Sequence, residues 1–286
     1  MWQKPSVLPI ERVAHQAAAR AGALLRARYR DRQEVTFKGE VDLVTAADRD
    51  AERLIVTALA EAFPDHGIVA EESPPRPGRD GHRWYVDPLD GTTNFAHGYP
   101  HFAVSLALAR DDELVFGLVH DPIREETFTA VRGAGARLNG APIAVSDTDT
   151  LAHALLGTGF PYDRRQRPEF YLAFVAEALR HTQGIRRAGS AALDLCYVAC
   201  GRLDAFWEWK LHPWDTAAGR VIVEEAGGRV TDFAGSSHRL TGDETAASNG
   251  RLHASLVEML GRVRQGLADA ATRQTGGTTV DGGEGM

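Results

Sequence analysis

Residues 84–95 read Trp-Tyr-Val-Asp-Pro-Leu-Asp-Gly-Thr-Thr-Asn-Phe, a β-like apolar run that leads into two carboxylates three residues apart. Proline fixes φ at about −65° and has no N–H, so Pro88 can hold Asp87 and Asp90 toward one space. The Leu89 carbonyl between them becomes available as a third oxygen ligand. Carboxylates, a backbone carbonyl and water are the ligands that hard cations such as Mg²⁺ prefer. The stretch therefore predicts a site for a divalent cation at the end of a strand.

The turn that follows, Gly91-Thr92-Thr93, adds a second chemical feature. Backbone N–H groups at the start of a helix attract anions, so these amides can hold a phosphate if they open a helix. The alternative is an ordinary turn in which Asp87 and Asp90 only cap nearby amides. An isolated Asp-x-x-Asp favours this second interpretation, so other acidic residues have to decide between the two.

Further acids stand where strands and helices are predicted to end or begin. Glu71 follows the β-like residues 68–70 and precedes a proline-rich loop, where a solvated loop acid is the alternative. Asp215 stands at the start of a predicted helix, and an acid there also complements the helix dipole. Asp48 lies three residues after Thr45, a spacing that forms a capping box. Each acid alone has a structural explanation, and their combination with the Asp-x-x-Asp pair is what indicates a metal site.

The composition is that of an ordinary globular protein, with 43% apolar and 25% charged residues. Lysine and arginine total 32 against 39 acids, a formal charge of −7, so general nucleic-acid binding by phosphate neutralisation is not expected. Two cysteines, Cys196 and Cys200, cannot form a disulfide framework, which is typical of a reducing cytosol. Residues 13–25 contain polar side chains and give no signal-peptide core, and no apolar run is long enough to span a membrane. We therefore expect a cytoplasmic protein.

Hydrophobic periodicity predicts an antiparallel-rich first half and an α/β second half. The Asn139-Gly140 pair is typical of a tight hairpin turn. We expect an N-terminal α+β part at 1–146, a C-terminal α/β part at 147–271 and a disordered, Gly/Thr-rich tail at 272–286. Predicted helices cover 10–25, 51–62, 168–181, 190–200, 213–226 and 252–267, and predicted strands cover 102–108, 114–119, 127–131, 143–145, 203–209 and a few residues near 230.

Three motifs in this order make the chain resemble the inositol monophosphatase family of Mg²⁺-dependent, lithium-sensitive phosphatases over roughly residues 10–265. They are Glu71-Glu72-Ser73, the stretch from Asp87 to Phe95, and Trp214-Asp215-Thr216-Ala217-Ala218-Gly219. The run Gly189-Ser190-Ala191-Ala192 adds a weaker fourth point, and Ala70 stands where many members have glycine. The resemblance implies an α+β/α/β fold, a layered αβαβα sandwich of the inositol monophosphatase and fructose-1,6-bisphosphatase type, assembled as a homodimer.

The resemblance also implies a role for each matching residue. The ligands of two or three Mg²⁺ ions would be Glu71, Asp87, the Leu89 carbonyl, Asp90 and Asp215. The attacking water would be oriented by Glu71, Thr92 and Asp48, and the phosphate would be held by the amides of Gly91 and Thr92. Substrate contacts would come from Asp90, Gly189, Ser190, Ala191, Glu208 and Asp215, of which Glu208 would hydrogen-bond ring hydroxyls.

The activity implied is that of a Mg²⁺-dependent phosphomonoesterase that hydrolyses myo-inositol 1-phosphate to inositol and phosphate with a metal-activated water. Glu208 favours a neutral polyol over a nucleotide base. Alternatives with the same fold act on fructose 1,6-bisphosphate, 3′-phosphoadenosine 5′-phosphate or histidinol phosphate. A further alternative is a non-catalytic regulatory protein that retains the metal site. We expect a small phosphorylated polyol or sugar as the ligand, and no binding to membranes or nucleic acids.

Overall fold

The computed structural model describes residues 7–31, 35–37 and 43–276, and its elements are numbered along those residues. The helices are α1 (Val7–Arg28), α2 (Ala46–Ala62), α3 (Thr92–Ala96), α4 (Pro168–His181), α5 (Ala191–Ala199), α6 (Pro213–Glu225) and α7 (His253–Gly276). The strands are β1 (Val35–Phe37), β2 (Leu43–Thr45), β3 (Gly67–Ala70), β4 (His82–Asp90), β5 (Ala103–Arg110), β6 (Glu113–Asp121), β7 (Glu126–Val131), β8 (Ala136–Leu138), β9 (Ala141–Pro142), β10 (Leu155–Thr158), β11 (Gly184–Arg186), β12 (Ala205–Trp209), β13 (Arg229–Thr231) and β14 (Glu244–Ser248).

The first large sheet has seven strands in the order β3-β4-β5-β6-β7-β8-β9. β3 and β4 run parallel, and the other neighbours run antiparallel. The central strands β4, β5 and β6 are buried along most of their length, as expected of a sheet covered on both faces. Asn139 and Gly140 both have positive φ and join β8 to β9, which confirms the predicted hairpin turn.

The second large sheet has five strands in the order β11-β10-β12-β14-β13. β10 runs parallel to both β11 and β12, whereas β14 runs antiparallel to β12 and β13. The first half is therefore antiparallel-rich and the second half is α/β, as predicted from the periodicity.

Helices and sheets alternate in five layers. α1 and α2 cover the outer face of the seven-stranded sheet, where Ile55 of α2 belongs to one apolar cluster with Phe116 of β6. α5 and α6 lie between the two sheets, and Ile222 of α6 is fully buried there. α4 and α7 cover the outer face of the five-stranded sheet, where Phe174 packs in one cluster with Trp207. The predicted layered αβαβα sandwich is confirmed.

The capping box predicted at the start of α2 is present. The Thr45 side chain accepts the Ala47 N–H at 3.1 Å, and Asp48 Oδ2 accepts the Thr45 N–H at 2.8 Å. Ile55 and Leu59, at helical spacing on the next turns, are fully buried against the sheet. Burying one such side chain contributes about 1.5–3 kcal/mol, and this packing fixes the start of α2, where Asp48 lies beside Thr92.

Two predicted segments differ from the structure. The strand predicted at 143–145 is wrong, since β9 ends at Pro142 and the Val145 N–H instead donates to the Ala226 carbonyl at 3.2 Å. Ile143 and Val145 are apolar because they pack on the core between the sheets. The predicted disordered tail is wrong for residues 272–276, which continue α7, and residues 277–286 lie outside the described part of the chain.

The other predicted helices and strands are confirmed, with ends that shift by a few residues. β9 and β10 lie on either side of the predicted boundary at 146, and the division into two parts stays a prediction. Among the residues that the structure describes, no helix combines the length and apolar character needed to cross a bilayer.

Candidate active site

β4 ends in a break in its pairing with β5. The register runs evenly up to Asp87, shifts, and resumes at Asp90. Pro88 has no N–H to give to the ladder, so the strand bulges at Pro88 and Leu89. Inside the bulge, Asp87 Oδ1 accepts the Leu89 N–H at 2.9 Å. The bulge places both aspartates and the Leu89 carbonyl at the same end of β4.

α3 begins directly after the bulge, so the Gly-Thr-Thr turn does open a helix. Gly91 is its N-cap and has a φ of +102°, which only glycine adopts without strain. A Cβ on Gly91 would also lie 3.0 Å from the His101 carbonyl oxygen. Thr92 Oγ1 lies 3.1 Å from both Asp48 Oδ1 and the Leu89 carbonyl oxygen. The Thr92 hydroxyl therefore joins the start of α2 to the end of β4.

Asp48 is both a helix cap and a neighbour of Thr92. Its Oδ2 accepts the Thr45 N–H, while its Oδ1 accepts the Thr92 hydroxyl. The side chain is fully buried, and burial raises the pKa of Asp48, although hydrogen bonds from Thr45 and Thr92 oppose the rise. Since the two oxygens have different partners, the capping role does not compete with a role in the site.

Asp90 is joined to the start of α5 across the cleft. Its Oδ2 accepts the Ser190 hydroxyl at 2.6 Å and the Ala192 N–H at 2.7 Å. Burial raises the pKa of Asp90 to about 6, and these two hydrogen bonds oppose the rise. Ser190 and Ala191, two predicted substrate residues, are therefore fixed directly beside a predicted metal ligand.

Asp215 occupies the first turn of α6, where its Oδ2 accepts the His212 N–H at 2.7 Å. That bond agrees with the purely structural explanation of Asp215, in which the acid only stabilises the start of the helix. Yet the pKa of Asp215 is raised well above its usual value by burial and by the charges of Asp90 and Glu71. Because charges shift a pKa mainly at short range, Asp215 lies near Asp90 and Glu71.

The four acids converge on one cleft. Burial raises the pKa of Asp87 well above its usual value, and the charges of Glu71, Asp90 and Asp215 add to the rise. Two like charges about 4 Å apart repel by roughly 4 kcal/mol at an effective dielectric constant of about 20. A group of this kind is stabilised by protons or by cations.

The donor set of this cleft fits a hard cation. It consists of carboxylates and one backbone carbonyl, all oxygen, which are the ligands of Mg²⁺. Within the described residues, no three of these carboxylates bring their oxygens within 4.8 Å of one another.

The end of β3 is held by its neighbours on β4 and α2. The Glu71 N–H donates to the Val86 carbonyl at 3.2 Å, and the Glu72 N–H donates to Glu52 Oε2 at 2.7 Å. Glu52 is only 5% exposed, and sequence reasoning missed it. Its signal is an acid one helical turn after Asp48, on the buried face of α2. Glu52 fixes the segment from which the Glu71 side chain extends.

On the far side of the cleft, Glu208 of β12 lies against Gly159. A Cβ on Gly159 would lie 2.1 Å from both Glu208 carboxyl oxygens, so the carboxyl occupies the space that a side chain would need. Burial raises the pKa of Glu208 to about 8, which Arg187 opposes and Asp90 reinforces. Glu208 therefore faces the acidic cleft. No local pattern in the sequence could have identified Gly159.

Asn94 ties α3 to the loop before α5. Its Nδ2 lies 2.7 Å from the His101 carbonyl oxygen, 2.9 Å from that of Ala188 and 3.3 Å from that of Gly189. Gly189 has a φ of +91°, and a Cβ there would lie 3.2 Å from the Asn94 side chain. Asn94 belongs to the motif from Asp87 to Phe95, but its contacts with Ala188 and Gly189 are distant in sequence and could not be predicted from it. It fixes the loop from which the predicted substrate contacts of Gly189 and Ser190 come.

A second group of metal-ligating atoms lies at the other end of β4, roughly 26 Å along the strand from Asp90. His66, Asp80 and His82 bring ligand atoms within 4.8 Å, and Asp80 Oδ2 is 3.4 Å from His66 Nε2 and 3.0 Å from His82 Nδ1. The Trp84 indole N–H donates to His66 Nδ1 at 3.0 Å, so the neutral His66 ring carries its proton on Nε2, toward Asp80. A metal at Nε2 would have to displace that proton. On the other histidine of the group, the buried His82 Nδ1 has no hydrogen-bond partner among the described residues.

The layered αβαβα sandwich and the acids grouped at the end of β4 and the start of α6 define the class of this protein. The chain belongs to the inositol monophosphatase family, whose model matches residues 7–265.

Relatives and solved structures agree with this assignment. Over 256 residues the chain is 47% identical to a Pseudomonas aeruginosa protein named Nus factor SuhB, covering 87% of this chain and 94% of that one. It is 44% identical to the inositol-1-monophosphatase of Rhizobium meliloti, covering 86% and 94%. The crystal structure of the extragenic suppressor protein suhB from Bartonella henselae superposes with a TM-score of 0.84 at 42% identity, covering 88% and 98%.

Proposed function

We propose that the chain is a Mg²⁺-dependent phosphomonoesterase that hydrolyses myo-inositol 1-phosphate to inositol and phosphate. The observation that carries the proposal is the convergence of Glu71, Asp90 and Asp215 on the buried Asp87. Acids that repel one another destabilise a fold unless they are neutralised, so their collection in one cleft is best explained by bound cations.

The ligands proposed for two or three Mg²⁺ ions are Glu71, Asp87, the Leu89 carbonyl, Asp90 and Asp215. Bound there, the ions supply charge neutralisation, a lower pKa for water and stabilisation of the leaving alkoxide. The bulge at Pro88 is what allows a strand to offer two side chains and a carbonyl to the same space.

The remaining work of the site is positioning, on which phosphoryl transfer mainly depends. Thr92, fixed between Asp48 and the Leu89 carbonyl, orients the attacking water together with Glu71. The amides of Gly91 and Thr92 hold the phosphate. No covalent nucleophile is required.

The polyol is proposed to lie between Glu208 and the loop formed by residues 189–191, with Asp90 and Asp215 on the side of the phosphate. The carboxyl of Glu208 hydrogen-bonds ring hydroxyls. Support comes from its place against Gly159 at the cleft, and from the Rhizobium meliloti relative named for inositol-1-monophosphatase activity. From the family we also propose a cytoplasmic homodimer that is inhibited by lithium.

Phosphate release from a panel of phosphomonoesters, with and without Mg²⁺, tests the proposal. The panel contains inositol 1-phosphate, fructose 1,6-bisphosphate, 3′-phosphoadenosine 5′-phosphate and histidinol phosphate. We expect release that depends on Mg²⁺ and is greatest for inositol 1-phosphate. A preference for another compound would reassign the substrate, and no release from any of them would overturn the activity.

A second candidate is a non-catalytic regulatory protein that retains the metal site. One observation favours this candidate: the relative with 47% identity is named Nus factor SuhB, which is not the name of a phosphatase. This candidate predicts that Mg²⁺ raises the melting temperature while no phosphomonoester is turned over. The Thr92 hydroxyl between Asp48 and the Leu89 carbonyl argues for catalysis, because a purely structural metal site needs no group to orient water.

A further inference from the structure

His66, Asp80 and His82 form a compact group at the end of β4 opposite the acidic cleft, and we call it the His-Asp-His group. His66 lies just before β3, Asp80 lies in the loop between β3 and β4, and His82 is the first residue of β4. The loop is held against β3 by two backbone hydrogen bonds between Ile68 and Arg76, at 2.8 and 2.9 Å. This pairing turns the chain back, so that Asp80 comes to lie beside both histidine rings.

The carboxylate of Asp80 has one oxygen that is fixed by the backbone and one that faces both rings. Its Oδ1 accepts the His82 N–H at 3.1 Å. Its Oδ2 lies 3.4 Å from His66 Nε2, which carries the ring proton because Nδ1 accepts the Trp84 indole N–H. The carboxylate is therefore oriented by the backbone and by the His66 ring, and neither contact uses the side chain of His82.

The ring of His82 turns a nitrogen without a partner toward this carboxylate. Its Nδ1 is buried and takes part in no hydrogen bond within the part of the chain that the structure describes, although Asp80 Oδ2 is only 3.0 Å away. A hydrogen bond fails at this distance when the N–H direction is misaligned, so Nδ1 is aimed beside Oδ2 rather than at it. Two ligands of one metal ion show this relation, because each is aimed at the ion.

The spacing of the two atoms also fits a shared ion. Nitrogen and oxygen ligands lie about 2.0–2.1 Å from Zn²⁺, so two of them are about 3.3 Å apart at the tetrahedral angle and about 2.9 Å apart at a right angle. The observed 3.0 Å between His82 Nδ1 and Asp80 Oδ2 falls between these values.

The His66 ring is stacked on the His82 ring, with centroids 4.5 Å apart and planes inclined by 16°. Nitrogens of two stacked rings cannot both point at one ion within their own ring planes. The second histidine therefore does not complete the set of ligands, and its Nε2–H remains available to the carboxylate.

We propose that His82 Nδ1 and Asp80 Oδ2 bind a divalent transition-metal ion such as Zn²⁺, whose other ligands are water molecules. Imidazole nitrogen suits Zn²⁺, Ni²⁺ and Cu²⁺, whereas Mg²⁺ prefers oxygen, so this site differs chemically from the acidic cleft. His66 is a positioning residue, which keeps its proton and holds Asp80 Oδ2 through Nε2–H. The Asp80 side chain is 37% exposed, so the ion reaches His82 Nδ1 from solvent past this carboxylate.

An ion at this site joins the loop between β3 and β4 to the first residue of β4. The site lies roughly 26 Å along β4 from Asp90, so the ion should stabilise the fold and leave the chemistry of the acidic cleft unchanged. The inference is independent of the proposed function.

Calorimetric titration of Zn²⁺ into the Mg²⁺-saturated protein tests the site. The proteins compared are the wild type, His82→Gln, Asp80→Asn and the control His153→Gln, which removes an exposed histidine whose Nδ1 lies 3.2 Å from Thr150 Oγ1. Zn²⁺ that enters the acidic cleft is counted equally in all four, so the difference between them reports the His-Asp-His group alone. Melting curves recorded without metal show that each variant folds.

We expect His82→Gln and Asp80→Asn to lose one bound Zn²⁺ per chain, or to bind it more weakly by at least the roughly 10- to 100-fold that loss of an outer contact costs. His153→Gln should bind Zn²⁺ as the wild type does. Retention of the wild-type number and affinity of bound Zn²⁺ in both variants of the group would overturn the proposal.

X-ray absorption at the zinc edge tests the same site in the wild-type protein, without any substitution. With one equivalent of Zn²⁺ and excess Mg²⁺, we expect one imidazole nitrogen and several oxygens at about 2.0–2.1 Å. A shell of oxygen alone would place the ion among the carboxylates of the cleft and refute the site, and two imidazoles would refute the positioning role of His66. Neither measurement relies on turnover, so the outcome holds whether or not the protein releases phosphate.

Discussion

Gly159→Ala tests whether the carboxyl of Glu208 contacts the substrate without altering Glu208 itself. The added Cβ would lie 2.1 Å from both carboxyl oxygens, whereas ordinary contact begins at 3.4 Å. The carboxyl must therefore retreat by about 1.3 Å, the difference between the two distances. An O–H···O bond of about 2.7–2.8 Å stretched by that amount exceeds the range of a hydrogen bond.

The expected cost follows from the bonds that are lost. One or two hydrogen bonds to ring hydroxyls correspond to about 1–3 kcal/mol, which raises KM for inositol 1-phosphate about 5- to 150-fold. We expect a smaller change in kcat, since Glu208 is not among the residues proposed to orient the water or the phosphate. The assay is steady-state phosphate release with Mg²⁺. Gly261→Ala on α7 is the control, because an added Cβ there meets nothing within 4 Å.

A double-variant cycle shows whether the alanine acts through Glu208. In a Glu208→Ala background there is no carboxyl to displace, so adding Gly159→Ala should change KM no further. A KM for Gly159→Ala within twofold of the wild-type value, in protein that melts normally, would refute the reasoning. Independent, multiplying effects of the two substitutions would show that the alanine acts by another route.

Three further predictions address the acids and the hydroxyl. Asp90→Asn should lower phosphate release about 100-fold or more by removing a ligand charge, whereas Asp232→Asn, a turn-capping control, should not; equal rates would contradict the metal assignment. Thr92→Val should lower kcat more than it raises KM, and Thr92→Ser should restore kcat because it keeps the hydroxyl that meets Asp48; an unrestored kcat would mean that packing, not the hydroxyl, matters. Because burial raises the pKa of Glu208 from its ordinary 4.5 to about 8, the folded protein binds the extra proton, and its stability falls as pH rises from 4.5 through 8. Glu208→Gln, measured in chelator, should therefore melt higher than wild type at about pH 8; a lower melting temperature there would contradict the sign.

The strand, turn and helix at residues 84–95 could be predicted because each signal is local. The apolar run makes β4, Pro88 breaks its ladder, and the Gly-Thr-Thr turn starts α3. The positions of Asp48 and Asp215 were also predictable, since both begin helices. Local signals could not show that the aspartates that cap these helices also line the candidate site. The contact between Thr92 and Asp48, for example, joins residues that are 44 positions apart in the chain.

The residues that sequence reasoning missed act across space. Glu52 and Gly159 each matter through a contact with a distant element. The spacing of Glu52 from Asp48 is a weak local signal, whereas nothing beside Gly159 in the chain marks its contact with Glu208. β14 was not predicted because its sequence, Glu-Thr-Ala-Ala-Ser, has no alternation of apolar and polar residues. The strand is buried, and small side chains fill the space between it and the helices on both faces of its sheet. Residues 143–145 show the opposite error: their apolar pattern is real but serves packing between the sheets.

The central layer of α5 and α6 has a consequence for synthesis. The seven-stranded sheet is complete by Pro142, but its inner face is covered by helices made only after residue 190. The last acid of the cleft, Asp215, follows Glu71 by 144 positions, which a ribosome crosses in roughly 7 to 29 s at about 5–20 residues per second. During that interval the nascent chain carries a half-covered sheet. The emerging first half therefore needs protection from aggregation well before it can gain anything from a cation.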